Sequence, residues 1–446
     1  MANNKTFKIK NGLQAGRYLG SNGTETAGTN GPYGTFSTDL YTGNGATQTI
    51  TNGIDLSGEG GLTWIKIRDG FNSPLGHHLY DTARGATKKL SSNNTDAEST
   101  VSTGLTAFNS NGFSLGSNVG VNGGGTGDSY VSWTFKKASN FFDIVTYTGD
   151  GTTSRSISHN LGSVPGMIVV KQYQAGEARP WSIYHRGIDS SAPEDYRISF
   201  TTAARVDDSG QWNDTAPTST VFTVGGSTYV NNNGESYVAY LFAHDTSDDG
   251  YIQCGSYTGN GSSTGPEINL GWQPSWVMLK RADGLGDWTI FDNVRGVVTG
   301  GNDPRLHPST TQAESSSADI IDFNSTGFNL TNVFDDYNAN SSTYIYMAIR
   351  AVVQTQTLDL STGHTFSITP TEALDILFSN PPASGNATGF SVEVNNTGGY
   401  ALTWPSSVKW HLGTAPTATA SKELYTFVTT DGGTTYYGKL AGSNIA

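Results

Sequence analysis

A five-residue phrase constrains this chain more than any other feature, because it is written three times. Tyr-Thr-Gly-Asn-Gly at 41–45 returns as Tyr-Thr-Gly-Asp-Gly at 147–151 and as Tyr-Thr-Gly-Asn-Gly at 257–261, in steps of 106 and 110 residues. The same series follows each copy. A strand-like run comes first (Leu62–Arg68, Gly166–Lys171, Ser275–Lys280), then an Arg-Gly pair (Arg84-Gly85, Arg186-Gly187, Arg295-Gly296). An aromatic strand closes the unit (Tyr130–Phe135, Tyr237–Phe242, Tyr344–Ile349). Self-similarity at a fixed period indicates one unit copied in tandem. Units of about a hundred residues are long enough to bury a core each, unlike short solenoid repeats.

The strand-like runs carry few helical periodicities; Ala97–Leu105 is the one stretch read as a helix. Short alternating strands separated by Gly, Asn and Asp turns predict an all-β fold built from antiparallel β-sandwich modules of jelly-roll or concanavalin-like type. The expected organisation is a polar N-terminal docking segment at 1–32 and modules at 33–140, 141–248 and 249–352. A smaller, different β-domain follows at 353–446. The segment 1–32 holds one strand candidate, Thr6–Lys10, and is too small and polar for a core. In the last domain the strands alternate, and Asp431-Gly-Gly433 predicts a hairpin into Thr435–Leu440. Its outward Thr, Ser and Tyr positions suit lateral contacts with copies of the chain.

Charge excludes some function classes. The net charge is −13 over 446 residues, and no basic run exceeds a Lys pair, so a nucleic-acid partner is not expected. Cys254 is the single cysteine, which excludes an internal disulfide and a Cys-based zinc site. The N-terminus lacks an apolar core of signal-peptide length, which predicts cytoplasmic synthesis without classical secretion. No apolar run nears the roughly 18 residues of a membrane helix, so membrane insertion is not expected.

A catalytic reading needs convergent residues in one place, whereas residues present in triplicate serve the fold. Arg84, Arg186 and Arg295 suit either an anionic sugar or a nearby acid or loop carbonyl. The Tyr-Thr-Gly-Asn/Asp-Gly phrase reads as a ligand loop or as a strand end with a positive-φ turn. Glycoside hydrolysis needs two facing carboxylates; Glu177, Glu194, Asp195, Asp207, Asp208, Asp287 and Asp292 are available without a recurring paired pattern. The histidines (His77, His78, His159, His185, His244, His307, His364, His411) show no metal-ligand spacing and read as surface residues. Asp245–Asp249 and Asp335-Asp336 lack the spacing of a calcium loop. No phosphate-cradling motif occurs, and no enzyme, cofactor or metal is expected. Trp181, Trp212, Trp272, Trp288 and Trp410 lie in or beside turns and are the candidate ligand-facing aromatics, since sugars stack on such rings.

The third unit, with Trp276–Arg281, Asp287–Gly296 and Tyr344–Ala351, resembles a repeated module of tailed-phage virion proteins, especially of marine and cyanobacterial phages. That module's fold resembles a concanavalin-like sandwich. Thr357–Gly363, Phe378–Ser384, Leu402–Val408 and Phe427–Gly438 resemble a small domain common at the ends of phage tail-fibre proteins. Phe7–Leu13 is similar to a short motif near the starts of such fibres. The resemblance implies a structural virion protein, a tail fibre or adhesin in host attachment, exposed on the extracellular particle. It also implies a homotrimer, contact with other virion proteins through the N-terminal segment, and a host surface glycan as ligand. The alternatives are a capsid decoration or vertex protein and a polysaccharide depolymerase tailspike.

Overall fold

In the computed structural model each repeat builds the same four-stranded antiparallel sheet. The first runs in the order Phe36–Thr42, Ser129–Lys136, Gly61–Asp69, His78–Asp81. The second places Phe142–Thr148, Ser236–Ala243, Pro165–Gln172 and Ser182–His185 in that order, and the third Ile252–Thr258, Thr343–Arg350, Pro274–Arg281 and Thr289–Asp292. The opening tyrosine pairs with the closing one in every copy: Tyr41 with Tyr130, Tyr147 with Tyr237, Tyr257 with Tyr344. The structure describes residues 34–445 except 175–177, 248–249, 298, 352–353, 371–373, 398–399, 401, 406 and 412. The expected docking segment 1–32, with its Thr6–Lys10 strand and Phe7–Leu13, lies outside the described residues.

The fold is all-β, and its few helices are single turns. Ala97–Leu105 is not helical. Glu98 there donates its backbone N–H to Tyr173 O of the next module, and Ser99–Thr100 forms a short strand with Lys88–Lys89. A tertiary contact has overridden a weak local preference.

A smaller sheet covers one face of each large one. It comprises Gln48–Ile50, Gly112–Leu115 and Leu105–Asn109 in the first module, Ser154–Ser158 with Val221–Gly225 in the second, and Glu267–Asn269, Gly327–Leu330 and Ile321–Asn324 in the third. The first and third modules bury their own clusters between the two sheets: Ile65, Ile67, Phe113 and Tyr130 in one, Val277, Leu279, Phe328 and Tyr344 in the other. The opposite face of all three large sheets enters a common core, where Trp64, Trp133 and Phe135 meet Met167, Val169 and Tyr240, and also Trp276, Met278 and Met347. A strand buried on both faces needs apolar residues at nearly every position, which accounts for the unbroken runs in Gly61–Asp69, Pro165–Gln172 and Pro274–Arg281. The three modules therefore share one core, in addition to the clusters that the first and third bury by themselves. They fold together as one unit, Met1–Ala351, distinct from a second unit, Val352–Ala446.

The three joints between modules are equivalent. Glu98 N–H donates to Tyr173 O, Arg205 N–H to Ala282 O, and Glu314 N–H to Arg68 O, at 2.8, 2.8 and 2.9 Å. The first joins module 1 to 2, the second 2 to 3, and the third returns from 3 to 1. The ring is closed with pseudo-threefold repetition. An apolar gap of about 10 Å³, lined from all three modules by Trp64, Val169, Met278 and their neighbours, lies where the sheets converge.

The second unit packs two sheets over one core containing Ile376, Phe390, Val392, Tyr425, Phe427 and Tyr436. Its five-stranded sheet has the order Thr365–Ile368, Thr388–Asn395, Lys422–Thr429, Tyr436–Gly442, Val408–Trp410. The middle pairs are antiparallel, and both outer strands run parallel to their neighbours. The hairpin at Asp431-Gly-Gly433 is present: Gly432 and Gly433 have φ of 71° and 80°, and Asp431 Oδ1 accepts Thr435 N–H at 2.9 Å.

Candidate functional site

The repeated phrase is a structural joint. Tyr41 stacks on Tyr130 with ring centres 5.2 Å apart, Tyr147 on Tyr237 at 5.1 Å and Tyr257 on Tyr344 at 5.0 Å. The first Gly sits where no side chain fits: a Cβ on Gly43, Gly149 or Gly259 would lie 2.0, 2.1 or 2.2 Å from a carbonyl oxygen. The Asn or Asp between the glycines meets a buried asparagine. Asn44, Asp150 and Asn260 donate their N–H groups to Asn122, Asn231 and Asn338 Oδ1 at 2.9, 3.0 and 2.8 Å. Each of those asparagines ends a one-turn helix (Val119–Asn122, Thr228–Asn231, Asp335–Asn338) and donates its Nδ2 back to the loop. These asparagines carry no motif of their own; an Asn six to eight residues before each closing Tyr is the one signal of them in the sequence.

The Arg-Gly pairs are equivalent in two modules only. Arg84 Nε lies 2.6 Å from Asp81 Oδ2, and Arg295 Nε 2.6 Å from Asp292 Oδ2, with all four side chains almost wholly buried. Both guanidinium groups reach a second acid, Glu98 at 3.1 Å and Glu314 at 3.2 Å. Strand register aligns Asp81 and Asp292 with His185, so the matching position in module 2 is Ile188, three residues on. Arg186 is exposed and out of register. Its likeness to the other pairs was one of composition.

These side chains also serve the ring. Tyr240 of module 2 donates its hydroxyl to Asp81 Oδ2 at 2.7 Å, Trp133 of module 1 donates Nε1 to Asp292 Oδ2 at 3.0 Å, and His185 Nε2 meets Tyr346 O of module 3 at 3.0 Å. One buried lysine per module crosses each joint. Lys66 Nζ donates to Thr311 O at 3.3 Å, Lys171 Nζ to Thr95 O at 2.7 Å, and Lys280 Nζ to Thr202 O at 3.4 Å. Burial lowers all three lysine pKa values to about 8.

The aromatic candidates need correction. Trp181, Trp212, Trp272 and Trp288 are buried, at 2, 2, 5 and 1% exposure, and cannot present a ring to a ligand. Trp181 Nε1 donates across a joint to Ser91 O at 2.9 Å, and Trp288 Nε1 to Ser199 O at 2.8 Å. Trp212 donates to Tyr196 O at 3.1 Å, and Trp272 packs in the third module's own core. A Trp beside a turn buries its large ring when the turn folds back over a sheet, and the N–H finds a carbonyl in Trp181, Trp212 and Trp288 but not in Trp272. The histidines are mostly inside as well: His77, His78, His159, His185 and His307 are buried, while His364 and His411 are exposed. Among the described residues no group of three or more His, Cys, Asp or Glu is placed to hold a metal ion. Glu177 and Asp248-Asp249 lie outside the described residues. Among the described residues no helix is long and apolar enough to cross a membrane.

Trp410 is different. Half-buried, it ends the edge strand Val408–Trp410 of the second unit, with its ring against Trp404, Tyr425 and Phe427 at 5.6, 6.1 and 5.7 Å. Its ring thus lies on the core side, while on the other face an open hollow of about 500 Å³ is lined by Lys409, His411, Thr426, Tyr437 and Lys439 at the edge that Trp410 borders. Strand alternation sends Tyr436 and Phe427 into the core, so Tyr437, Lys439 and Val428 stand on the outer face. Register sets Lys409 and Val428 on either side of Tyr437, and Lys439 opposite Thr426. Tyr437 is 61% exposed, and neither Lys409 nor Lys439 meets a carboxylate among the described residues. This cationic and aromatic hollow is the candidate site, and Tyr437 is the ring that sequence reading missed.

A family model described as "Domain of unknown function (DUF7483)" matches residues 31–351. The chain belongs to the DUF7483 family. The matched DUF7483 segment ends at Ala351, where the first unit ends, so the DUF7483 domain of this chain comprises the whole three-module ring. The hollow around Tyr437 lies outside the DUF7483 match. No curated protein matches the chain.

Proposed function

We propose that this chain is a structural protein of a bacteriophage virion, a tail fibre or adhesin that takes part in host attachment and carries out no catalysis. The observation that carries the reading is the use made of the triplicated residues. The Tyr-Thr-Gly phrase, the buried Asn, Lys66, Lys171 and Lys280 all hold turns and joints of one closed scaffold. The resemblance to tailed-phage virion modules supplies the setting, with a concanavalin-like module as the repeated unit. The hollow of the second unit offers a place for a host surface glycan. A homotrimer anchored to other virion proteins through the 1–32 segment would convert weak glycan contacts into firm attachment.

The closed pseudo-threefold ring favours a second reading, a capsid decoration or vertex protein, because one chain with three like sectors matches a threefold position. Gold-labelled antibody on purified particles distinguishes the two, with label on the tail expected and label on the capsid favouring the second. Absence of the protein from particles, checked by peptide mass spectrometry, overturns both. New reducing ends from host polysaccharide incubated with the protein would overturn the claim of no catalysis.

A further inference from the structure

We infer that the hollow formed by Lys409, Tyr437 and Lys439 binds an acidic polysaccharide, a chain bearing carboxylate or sulfate groups, with a sugar ring lying on Tyr437. The inference rests on the attachment reading above and narrows its ligand from a glycan to an anionic one.

The geometry supplies both halves of such recognition. An exposed tyrosine offers the flat apolar face that a sugar ring covers. The two lysines lie beside it on the same outer face, one across the strand pair and one two residues along. Neighbours of this kind stand about 5–7 Å apart, within reach of the substituents of one or two sugar rings. Among the described residues no carboxylate lines the hollow, although the chain as a whole carries a net charge of −13. Two unneutralised ammonium groups on an acidic protein form a local positive site, and such a site draws anions selectively.

Other occupants fit less well. A nucleic acid needs a basic track long enough to neutralise several phosphates, and two lysines on an acidic surface do not provide one. A second copy docked through the same face in an isologous pair would set one lysine-bearing patch against another, like charge on like.

The test uses the full-length protein titrated calorimetrically with oligogalacturonate, with sulfated dextran oligosaccharide, and with neutral dextran oligosaccharide as the uncharged probe. Both acidic probes, or one of them, should bind roughly tenfold or more tightly than neutral dextran, with affinity falling at about 0.5 M salt. Lys409→Gln with Lys439→Gln should reduce acidic binding to the neutral level, Lys409→Arg with Lys439→Arg should retain it, and Tyr437→Ala should weaken binding of every probe. All replaced side chains point outward, so circular dichroism and thermal melts should be unchanged. Equal binding of acidic and neutral probes, or full acidic binding by the double Gln variant, overturns the inference. So does a change in molecular mass of the variants without glycan binding, which would make this face a contact between copies. Protein present on virions yet indifferent to acidic probes removes this inference alone. Acidic binding by a protein absent from virions removes the attachment reading alone.

Discussion

Asn338 meets four groups with one buried amide: it accepts Asn260 N–H, and the two hydrogens of its Nδ2 are shared among Asn260 Oδ1, Ser262 O and Asn332 O, all within 3.0 Å. Removing it takes a partner from three part-buried loop groups and leaves a hole at a buried position, and a group that water cannot reach costs about 1–3 kcal/mol when orphaned. Asn338→Ala should therefore lower stability by about 2–4 kcal/mol in urea melts, and Asn122→Ala and Asn231→Ala should do the same in their modules. The buried lysines make a different prediction. Their folded pKa of about 8 lies below the ordinary value of about 10.4, so between those pH values the unfolded chain binds more protons. Their contribution to stability then rises with pH through that window and is lost as pH falls back through it. The gain in melting temperature from pH 7.5 to 9 should shrink when Lys66, Lys171 and Lys280 are all replaced by Met. An unchanged gain would show that these ammonium groups do not titrate there.

At the scale of the element, the strand and the turn that follows it decide whether an arginine is structural. Arg295 follows Asp292 by three residues, which brings its guanidinium back onto the carboxylate and under Trp133, whose ring lies 5.4 Å away. Arg186 follows His185 by one, and points outward. Breaking a buried pair by removing one partner costs about 3–5 kcal/mol, whereas exposed substitutions stay within about 0.5 kcal/mol. Arg295→Gln should thus be strongly destabilising and Arg186→Gln nearly silent, as read from denaturant midpoints. Equal effects would restore the threefold equivalence that the register denies. Elements also explain where the strands lie: alternation and turn residues in Tyr41–Gly45 and its copies place the strand ends within a residue or two.

For the whole molecule, the shared core and ring closure bear on stability. The large sheets present Trp64, Met167 and Trp276 to one another, and a lone module would leave that face wet. A fragment of residues 141–248 should stay unfolded by circular dichroism, while residues 31–351 should melt in one cooperative transition. Independent folding of the fragment would contradict the shared core. Trp288→Ala should cost about 3–5 kcal/mol, because it empties the joint between modules 2 and 3 where the indole packs 5.3 Å from Phe200.

Much of the architecture was legible in the residues alone. The triplicated phrase, the strand runs and the Gly-Gly hairpin depend on local backbone rules, such as the positive φ of Gly45, Gly151 and Gly261, and these need no knowledge of the rest of the chain. Which aromatic faces outward does not. Trp181 and Trp288 sit beside turns just as Trp410 does, yet the first two are covered by a neighbouring module and the third lines an open edge. The closed ring, the joints made by the lysines and the exposure of Tyr437 arise from contacts between residues tens to hundreds of positions apart. Such contacts depend on how the sheets assemble, so only the tertiary structure could decide them.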